Sequence, residues 1–402
     1  MLGFGAAVST ASSFRRALDE TVPAALAQAG GDPDLAICFL SMEHAPASGD
    51  LVRVLAERTG GAMVLGCTAQ GVIGDARELE DTPALALWVA RLPGVRLRPF
   101  HLRLVELDEG YAITGWPDLD PDLEGEERGE RQYVVLLADP FSFPADQLVE
   151  RLNEERPGLA VIGGMASGAT GPGGHRLLLG TDAFHRGAVG VVLSGPVEVR
   201  TVVSQGCRPV GAPYAVTRAT GNLVQELGGR PAVQRLRELL SDANPEVQAL
   251  LAGGVQIGRV IDEHKVDFEC GDFLIRNLLG ADPESGALAV GDAVAVGQTM
   301  QFHVRDAATA TEELETLLAP VPSWRPRPSG VLLFSCNGRG RRFFGEPDHD
   351  ASMVAQATAA VPMAGFFAQG ELGPVGGRNF LHAYTASMAL FCEATAAGSG
   401  SR

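Results

Sequence analysis

Three continuous apolar segments mark the chain, at residues 36–41, 133–138 and 331–336. A second, shorter apolar segment follows each of them, at residues 62–65, 160–162 and 362–364. Apolar runs without alternation are typical of strands that are buried on both faces of a sheet. The pattern therefore predicts three pairs of buried strands.

A helical pattern fills the gap inside each pair of strands. Apolar side chains recur there at helical spacing, with Ser48 as a candidate N-cap of the first helix. The positions that share a helical face are Leu51, Val54 and Leu55, then Leu148 and Leu152, and finally Val354, Ala357 and Val361. Because a helix crossover joins neighbouring parallel strands, each pair is predicted to be parallel.

A further apolar strand is predicted after each unit, at residues 84–90, 187–194 and 383–391. The first two units add one more candidate strand each, at residues 95–104 and 197–203. The predicted fold class is α/β, with repeated strand, helix, strand, glycine loop and strand units that form mixed sheets.

Related glycine loops follow the second strand of each pair. Residues 66–74 align without gaps on residues 365–373, and residues 163–168 form a third, weaker copy. Glycine at a strand end permits close backbone approach, and free N–H groups in such turns can hold an anion. Two interpretations stay open: the glycines let strands cross tightly, or the loops line a shared pocket at the strand ends.

The region between the second and third units has a different pattern. Helices are predicted at residues 231–240, 246–251 and 306–318, and short strands at 255–261, 289–296 and 299–304. A proline-rich connector follows at residues 319–328. We expect two domains in tandem: residues 1–225, with repeat units at about 35–104 and 133–204, and residues 226–392, with the third at about 331–391. Residues 393–402 are expected to be a disordered tail.

Charge and cysteine usage narrow the function classes. The formal net charge of −17 opposes binding to nucleic acid or to an anionic membrane. The six scattered cysteines favour reduced thiols over a disulfide framework or a metal site, and neither a signal peptide nor a membrane span is recognisable. We expect a cytoplasmic protein without a metal or an organic cofactor.

Several motifs in order along the chain resemble the FIST family. The similar segments are residues 66–71, 204–211, 276–280, 297–306, 336–340 and 365–376, followed by Leu381 and His382. The resemblance spans roughly residues 35–390 and implies an N-terminal and a C-terminal FIST domain in tandem. It also implies a sensory module of signal transduction that binds a small ligand such as an amino acid. No output domain is recognisable, so the signal is expected to pass to a separate signalling protein.

The densest polar cluster is Cys336-Asn337-Gly338-Arg339-Gly340-Arg341-Arg342. It directly follows a predicted buried strand, and the planar fork of an arginine can grip a carboxylate or phosphate with two hydrogen bonds. One interpretation is that Arg339 and the neighbouring glycine amides capture a ligand anion. The other is a solvated basic turn that pairs with the acids at positions 346, 348 and 350.

Glu371 occupies the position of Val72 in the first glycine loop. A carboxylate there could accept a hydrogen bond from a ligand ammonium group, or from a backbone turn. His382, on the strand that follows, could lie near it, although a single histidine on an apolar strand is often a core residue. Arg276 is expected to form an internal ion pair with Asp272, Asp282 or Glu284.

These observations yield one set of candidate ligand-binding residues: Cys67, Thr68, Gln70, Gly71, Cys336, Asn337, Arg339, Gly340, Gln369, Gly370, Glu371 and His382. The leading hypothesis is a small-ligand sensor with no catalytic residue. Two alternatives stay open: an enzyme with Cys336 as its nucleophile, and a protein-interaction scaffold without a ligand.

Overall fold

A computed structural model describes residues 1–108, 110–117, 131–265, 267–268 and 271–394. The chain divides into two compact units. The first comprises residues 1–203, 317–381 and 385–402, and the second comprises residues 204–316 and 382–384. Within the described ranges, no helix has both the length and the apolar character needed to cross a membrane. The predicted tail lies outside the described residues from position 395 onward.

The first repeat begins with an additional strand and helix that the apolar pattern did not predict. Its elements are β1 Gly3–Ser9, α1 Phe14–Ala29, β2 Leu35–Ser41, α2 Ser48–Arg58, β3 Met63–Ala69, β4 Val72–Gly74, β5 Arg77–Leu79, β6 Leu85–Arg91, β7 Arg96–Glu106 and β8 Tyr111–Thr114. The second repeat consists of β9 Arg131–Ala138, α3 Ala145–Glu155, β10 Ala160–Met165, β11 Leu177–Leu179, β12 Asp182–Phe184, β13 Ala188–Gly195 and β14 Val197–Ser204.

The second unit and the third repeat follow. The second unit holds β15 Cys207–Thr220, β16 Leu223–Leu227, β17 Arg230–Pro231, α4 Ala232–Asp242, α5 Pro245–Ala252, β18 Gln256–Val260, β19 Phe273–Asp282, β20 Ala287–Val290, β21 Thr299–Arg305 and most of α6 Ala307–Leu318, whose last two residues group with the first unit. The third repeat holds β22 Pro328–Cys336, α7 Arg341–Phe344, α8 His349–Thr358, β23 Met363–Ala368, β24 Glu371–Val375, β25 Arg378–His382 and β26 Ala386–Glu393.

The α/β repeat predicted from the apolar pattern is confirmed. β2 pairs with β3 in parallel, as β9 does with β10 and β22 with β23, and a helix lies between the strands of each pair. The antiparallel strands β6, β13 and β26 pair with β2, β9 and β22 in three mixed sheets, and β1, β7 and β14 pair with their other edges. One helix differs in detail: α8 ends at Thr358, and its buried stripe is Ala351, Val354 and Thr358, so Val361 lies beyond it.

The three sheets exchange hairpins in a closed cycle. The hairpin β4–β5 of the first repeat pairs with β23 of the third, and β11–β12 of the second pairs with β3 of the first. The third-repeat strand β24 then pairs with β10 of the second. Each hairpin thus extends the sheet of a neighbouring repeat, and no repeat completes its own sheet.

A ring of backbone hydrogen bonds joins the glycine loops where the exchanges meet. Three equivalent N–H groups donate to carbonyls of the exchanged segments: Thr68 to Arg176 at 2.9 Å, Met165 to Gly370 at 2.8 Å, and Phe367 to Gly71 at 3.0 Å. Two further links run from Ser167 N–H to Thr68 and from Gln369 N–H to Met165. The Ser167 hydroxyl makes the last link, since it accepts from Gln70 N–H at 2.9 Å and donates to the Phe367 carbonyl.

The first glycine of each loop is required by the parallel pairing. Gly66, Gly163 and Gly365 lie opposite equivalent positions of β2, β9 and β22. A Cβ atom at any of them would overlap the backbone carbonyl oxygen of Cys38, Leu136 or Leu333, respectively. These glycines therefore let the paired strands approach closely, which agrees with the structural interpretation of the motif.

The second unit is built on an antiparallel sheet that closes on itself. The strand order is β15-β21-β18-β19-β20-β16-β17, and β15 also pairs with β16. Residues 204–211, one of the segments that resemble the FIST family, run from the end of β14 into strand β15, which begins at Cys207. Arg276 does form an internal ion pair, but its partner is Asp292 at 3.1 Å and not one of the three acids expected.

Replacing Gly365 with alanine should destabilise the first unit strongly. The added methyl group would overlap the backbone of Leu333, so the two strands must separate. We expect the free energy of unfolding to fall by about 3 kcal/mol or more. Gly49→Ala is the matched control, because Gly49 lies in α2 with open space around the new Cβ, and it should be neutral or slightly stabilising. Urea denaturation of both variants measures the difference, and an unchanged G365A midpoint would contradict this account.

Replacing Ser167 with alanine should open the ring at one link. The Gln70 N–H and the Phe367 carbonyl lose their shared partner, and a buried unsatisfied group costs about 1–3 kcal/mol. The exposed Ser352→Ala on α8 serves as the control. Faster amide hydrogen exchange at residues 68–71 in S167A, and not in S352A, is the expected readout.

Candidate functional site

Most of the predicted glycine-loop residues are built into the ring. Cys67, Thr68, Gly71 and Gly370 are buried, and the Cys67 thiol packs in the apolar core. The Thr68 hydroxyl accepts a hydrogen bond from Arg176 N–H at 3.0 Å. Burial raises the pKa of the Cys67 thiol well above its ordinary value. This part of the candidate set is used by the fold.

Three predicted residues present exposed amide side chains. Gln70 and Gln369 occupy equivalent positions in the first and third loops, and Asn337 follows the end of β22. The Asn337 N–H donates to the Ala368 carbonyl at 2.7 Å, which holds Asn337 beside Gln369. Asn337 and Gln369 are therefore neighbours on the solvent side of the third loop.

Arg339 is buried and paired inside the protein. Its Nε and Nη2 donate to the two carboxylate oxygens of Asp350 at 2.7 and 2.8 Å. The Phe344 ring lies 5.0 Å from the guanidinium carbon, and His349 stacks on that ring. Asp350 is one of the acids expected for a solvated turn, but its pair with Arg339 is almost fully removed from solvent. Arg341 and Arg342, in contrast, are exposed.

The glycine turn beside Arg339 also meets an internal carboxylate. Glu80, which follows β5 of the exchanged hairpin, accepts a hydrogen bond from the Arg341 N–H at 2.9 Å. Gly340 has a φ of 86°, and a Cβ atom there would lie 2.8 Å from a Glu80 carboxylate oxygen. The turn thus binds an anion, as its glycines indicate, and that anion comes from the first repeat.

Glu371 is completely buried at the start of β24. Its Oε2 accepts hydrogen bonds from the Thr385 hydroxyl at 2.8 Å and from the Thr385 N–H at 3.2 Å. Its Oε1 has no hydrogen-bond partner among the described residues. Burial raises the pKa of Glu371 to about 8, although Thr385, Arg339 and the Cys336 thiol oppose the rise.

The strand register shows what is unusual about Glu371. It pairs with Gly164 of the neighbouring repeat, and the equivalent pairs are Val72 with Phe366 and Leu177 with Cys67. The other two repeats therefore place an aliphatic side chain where the third places a carboxyl group. The alignment of the first and third glycine loops showed that Glu371 stands where the first loop has Val72. The equivalent residue of the second repeat, Leu177, can be identified only from the strand pairing.

Glu78 is a buried acid that the sequence did not reveal. It lies on β5, and its Oε1 accepts a hydrogen bond from the Ala351 N–H at 3.0 Å in the first turn of α8. Its Oε2 has no partner among the residues that the structure describes. Burial, followed by the charge of Asp350, raises the pKa of Glu78 to about 8. Only the exchange of hairpins brings Glu78 to the third repeat, so a local pattern could not have indicated it.

Arg339 interacts directly with Asp350 and electrostatically with Glu371, while Glu78 interacts with Asp350. Burial alone would raise the pKa of Asp350, but Arg339, His349 and Ser335 all interact with its oxygens and hold the pKa below its ordinary value. Asp350 takes the charge of Arg339, while Glu78 and Glu371 are held in the neutral form at pH 7. The cluster can bind or release two protons near physiological pH.

The remaining candidates are placed as follows. Cys336 is buried at the end of β22, and its equivalents are Ser41 and Asp139 in the other repeats. Asp139 forms a buried pair with His175 at 2.8 Å, which the sequence did not indicate.

His382 is buried and groups with the second unit. Within the described ranges, no group of three or more His, Cys, Asp or Glu side chains could hold a metal ion.

Stability should fall as the pH rises from about 6.5 to about 8. In this window Glu78 and Glu371 are ionised in the unfolded chain and still protonated in the folded one, so the folded state binds more protons. Each group can contribute a decrease of up to about 1.4 kcal/mol per pH unit. His303 has a folded pKa lowered by burial to about 4, so its opposite effect is confined to lower pH.

Glu371→Gln mimics the neutral carboxyl group and should make the decrease less steep. Thermal melts of wild type, E371Q and the exposed control Glu346→Gln across this window measure the slope. Equal slopes for wild type and E371Q would show that Glu371 is ionised in the folded protein.

Comparison with known proteins supports the resemblance noted above. The FIST N domain matches residues 34–230, and the FIST C domain matches residues 232–374. An uncharacterized protein of Mycobacterium tuberculosis, Rv0628c, is 46% identical over 391 residues, which cover 97% of this chain and 99% of the relative. An uncharacterized protein of Mycobacterium bovis, Mb0898c, is 43% identical over 391 residues, which cover 97% of this chain and 98% of the relative. The chain therefore belongs to the FIST family, with its N and C domains in tandem.

Proposed function

We propose that the protein is a sensor whose small ligand, an amino acid or a similar metabolite, binds at the end of β22 with its ammonium group on Glu371 Oε1. FIST domains are themselves proposed to be small-ligand sensory modules of signal transduction, and this chain carries both. The observation that carries the proposal is the unpartnered Oε1 of a completely buried carboxyl group.

A buried polar atom without a hydrogen-bond partner is costly for the fold. Leaving such an atom unsatisfied costs about 1–3 kcal/mol, and the other two repeats avoid this with valine and leucine. A hydrogen-bond donor from a ligand would remove the penalty only in the bound state. The cost in the ligand-free protein would then become part of the binding free energy.

The same site offers groups for the rest of an amino acid. Asn337 and Gln369 expose their amide side chains beside the loop and can donate to a ligand carboxylate. Arg339 contributes its positive charge to the site, but both donors of its fork already hold Asp350. We therefore assign carboxylate binding to the amides, with Arg339 acting through its charge.

Ligand binding would also displace a proton. An ammonium group is bound best by an ionised carboxylate, so Glu371 must release its proton when the ligand binds. A change of charge inside the Arg339 cluster would alter the contact of the exchanged β4–β5 hairpin with α8 and with the turn at Gly340. We propose that a separate signalling protein binds differently to the protein once this contact has changed.

A thermal-shift screen against the amino acids tests the proposal. At about a hundredfold excess over Kd, a ligand that binds only the folded state adds about 2.7 kcal/mol of stability. E371Q should weaken binding by at least about tenfold, because an amide N–H replaces the acceptor. Asn337→Ala should weaken it less, and Glu346→Gln should leave it unchanged.

The pH provides an independent check on the role of Glu371. Wild-type affinity should increase between about pH 6.5 and about pH 8 as the proton becomes easier to displace, and E371Q should show no such dependence. If no amino acid raises the melting temperature, or if E371Q responds as wild type does, the proposal is wrong.

A further inference from the structure

The second unit contains a groove that belongs to none of the features described so far. It lies between the start of β15 and the junction of α4 with α5, and its volume is about 430 Å³. Its lining residues are Arg208, Pro209, Val210, Gly211, Leu239, Asp242, Ala243 and Val247. This volume is within the usual range for small-molecule sites, about 300–1,000 Å³.

The walls of the groove are mainly apolar. Val210 from β15, Leu239 from α4 and Val247 from α5 supply branched aliphatic side chains. Gly211 has a φ of 71°, and a Cβ atom there would lie 3.2 Å from Leu239 Cδ1, so glycine gives the helix room to lie close to the strand. The groove therefore suits a ligand with a compact apolar body.

One cationic side chain lines the groove and retains donors for a ligand. Arg208 Nη1 lies 3.1 Å from Glu246 and 3.3 Å from Asp306, so a single nitrogen serves both acids. The side chain is 29% exposed. Its Nε and Nη2 carry the remaining N–H groups, and this edge of the guanidinium matches the two oxygens of a carboxylate.

The surrounding acids limit the charge of the ligand. Asp242 lines the groove, and Glu246 and Asp306 lie close to one nitrogen of Arg208. A phosphate or a dicarboxylate would bring at least one more negative charge against these three carboxylates, whereas a monocarboxylate brings only the charge that Arg208 can share.

We propose that this groove binds a small monocarboxylate with a branched or aromatic apolar body, held by Arg208 at one end and by Leu239 and Val247 along its sides. The site lies wholly within the second unit and does not depend on the function proposed for Glu371. An experiment that disproves the site in this groove would not disprove the site at Glu371, and the reverse also holds.

Calorimetric titration of the full-length protein with phenylacetate tests the inference. We expect saturable binding, at least about tenfold weaker binding of phenylacetamide because it lacks the charge for Arg208, and little binding of succinate or inorganic phosphate. Val247→Trp, which fills the groove, should abolish binding. Leu240→Trp is the matched control, since Leu240 is exposed on α4 and does not line the groove.

Arg208→Lys separates charge from fork geometry. It keeps a cation near Glu246 and Asp306 but loses the planar edge, so phenylacetate affinity should fall by about tenfold. The inference is overturned if phenylacetate gives no saturable heat up to about 10 mM, if phenylacetamide binds equally well, or if V247W binds as L240W does. E371Q should bind phenylacetate as wild type does, which keeps this result distinct from the amino-acid screen.

Discussion

The closed exchange of hairpins among the three repeats is the constraint on which the first unit depends. An edge strand presents unpaired N–H and C=O groups, and each repeat satisfies part of that edge with a hairpin from a neighbour. The cycle works only because all three glycine loops meet and bond to one another. Among the described residues, Gln70 and Phe367 share no direct backbone hydrogen bond, and the Ser167 hydroxyl bridges the Gln70 N–H and the Phe367 carbonyl instead.

The same exchange places the chemistry of the third repeat. Arg339, Asp350 and Glu371 come from the third repeat itself, but Glu78 and Glu80 arrive on the hairpin of the first. The result is a buried cluster with more carboxyl groups than cations. Such a cluster is stable because two of its acids stay protonated, and it is therefore sensitive to any ligand or pH change that removes a proton.

The sequence predicted what is local or repeated. Continuous apolar runs identified the parallel strand pairs, and the comparison of two glycine loops identified Glu371 as the unusual member. What could not be predicted from the sequence has a physical reason. The short strands β4, β11 and β24 pair with strands of other repeats, so no periodicity within them indicates their partners. Arg339 is an example. The sequence indicated that it follows a buried strand and that its guanidinium group can grip a carboxylate, but its burial against Asp350 depends on how α8 packs. Arg276 was assigned to the wrong acids for the same reason, since Asp292 reaches it from outside β19.

The order in which the ribosome makes the chain gives the hairpin cycle a further meaning. Residues 1–203 emerge first and can form the link between the first two repeats, because β11 and β3 are both present. The partners of β4, β10 and β14 are β23, β24 and β26, which emerge only after the whole of residues 204–316. During synthesis these three strands of the first two repeats must therefore wait without those partners while the second unit is made. The inserted unit thus sets the length of the interval in which the nascent chain is most open to wrong partners and to chaperones.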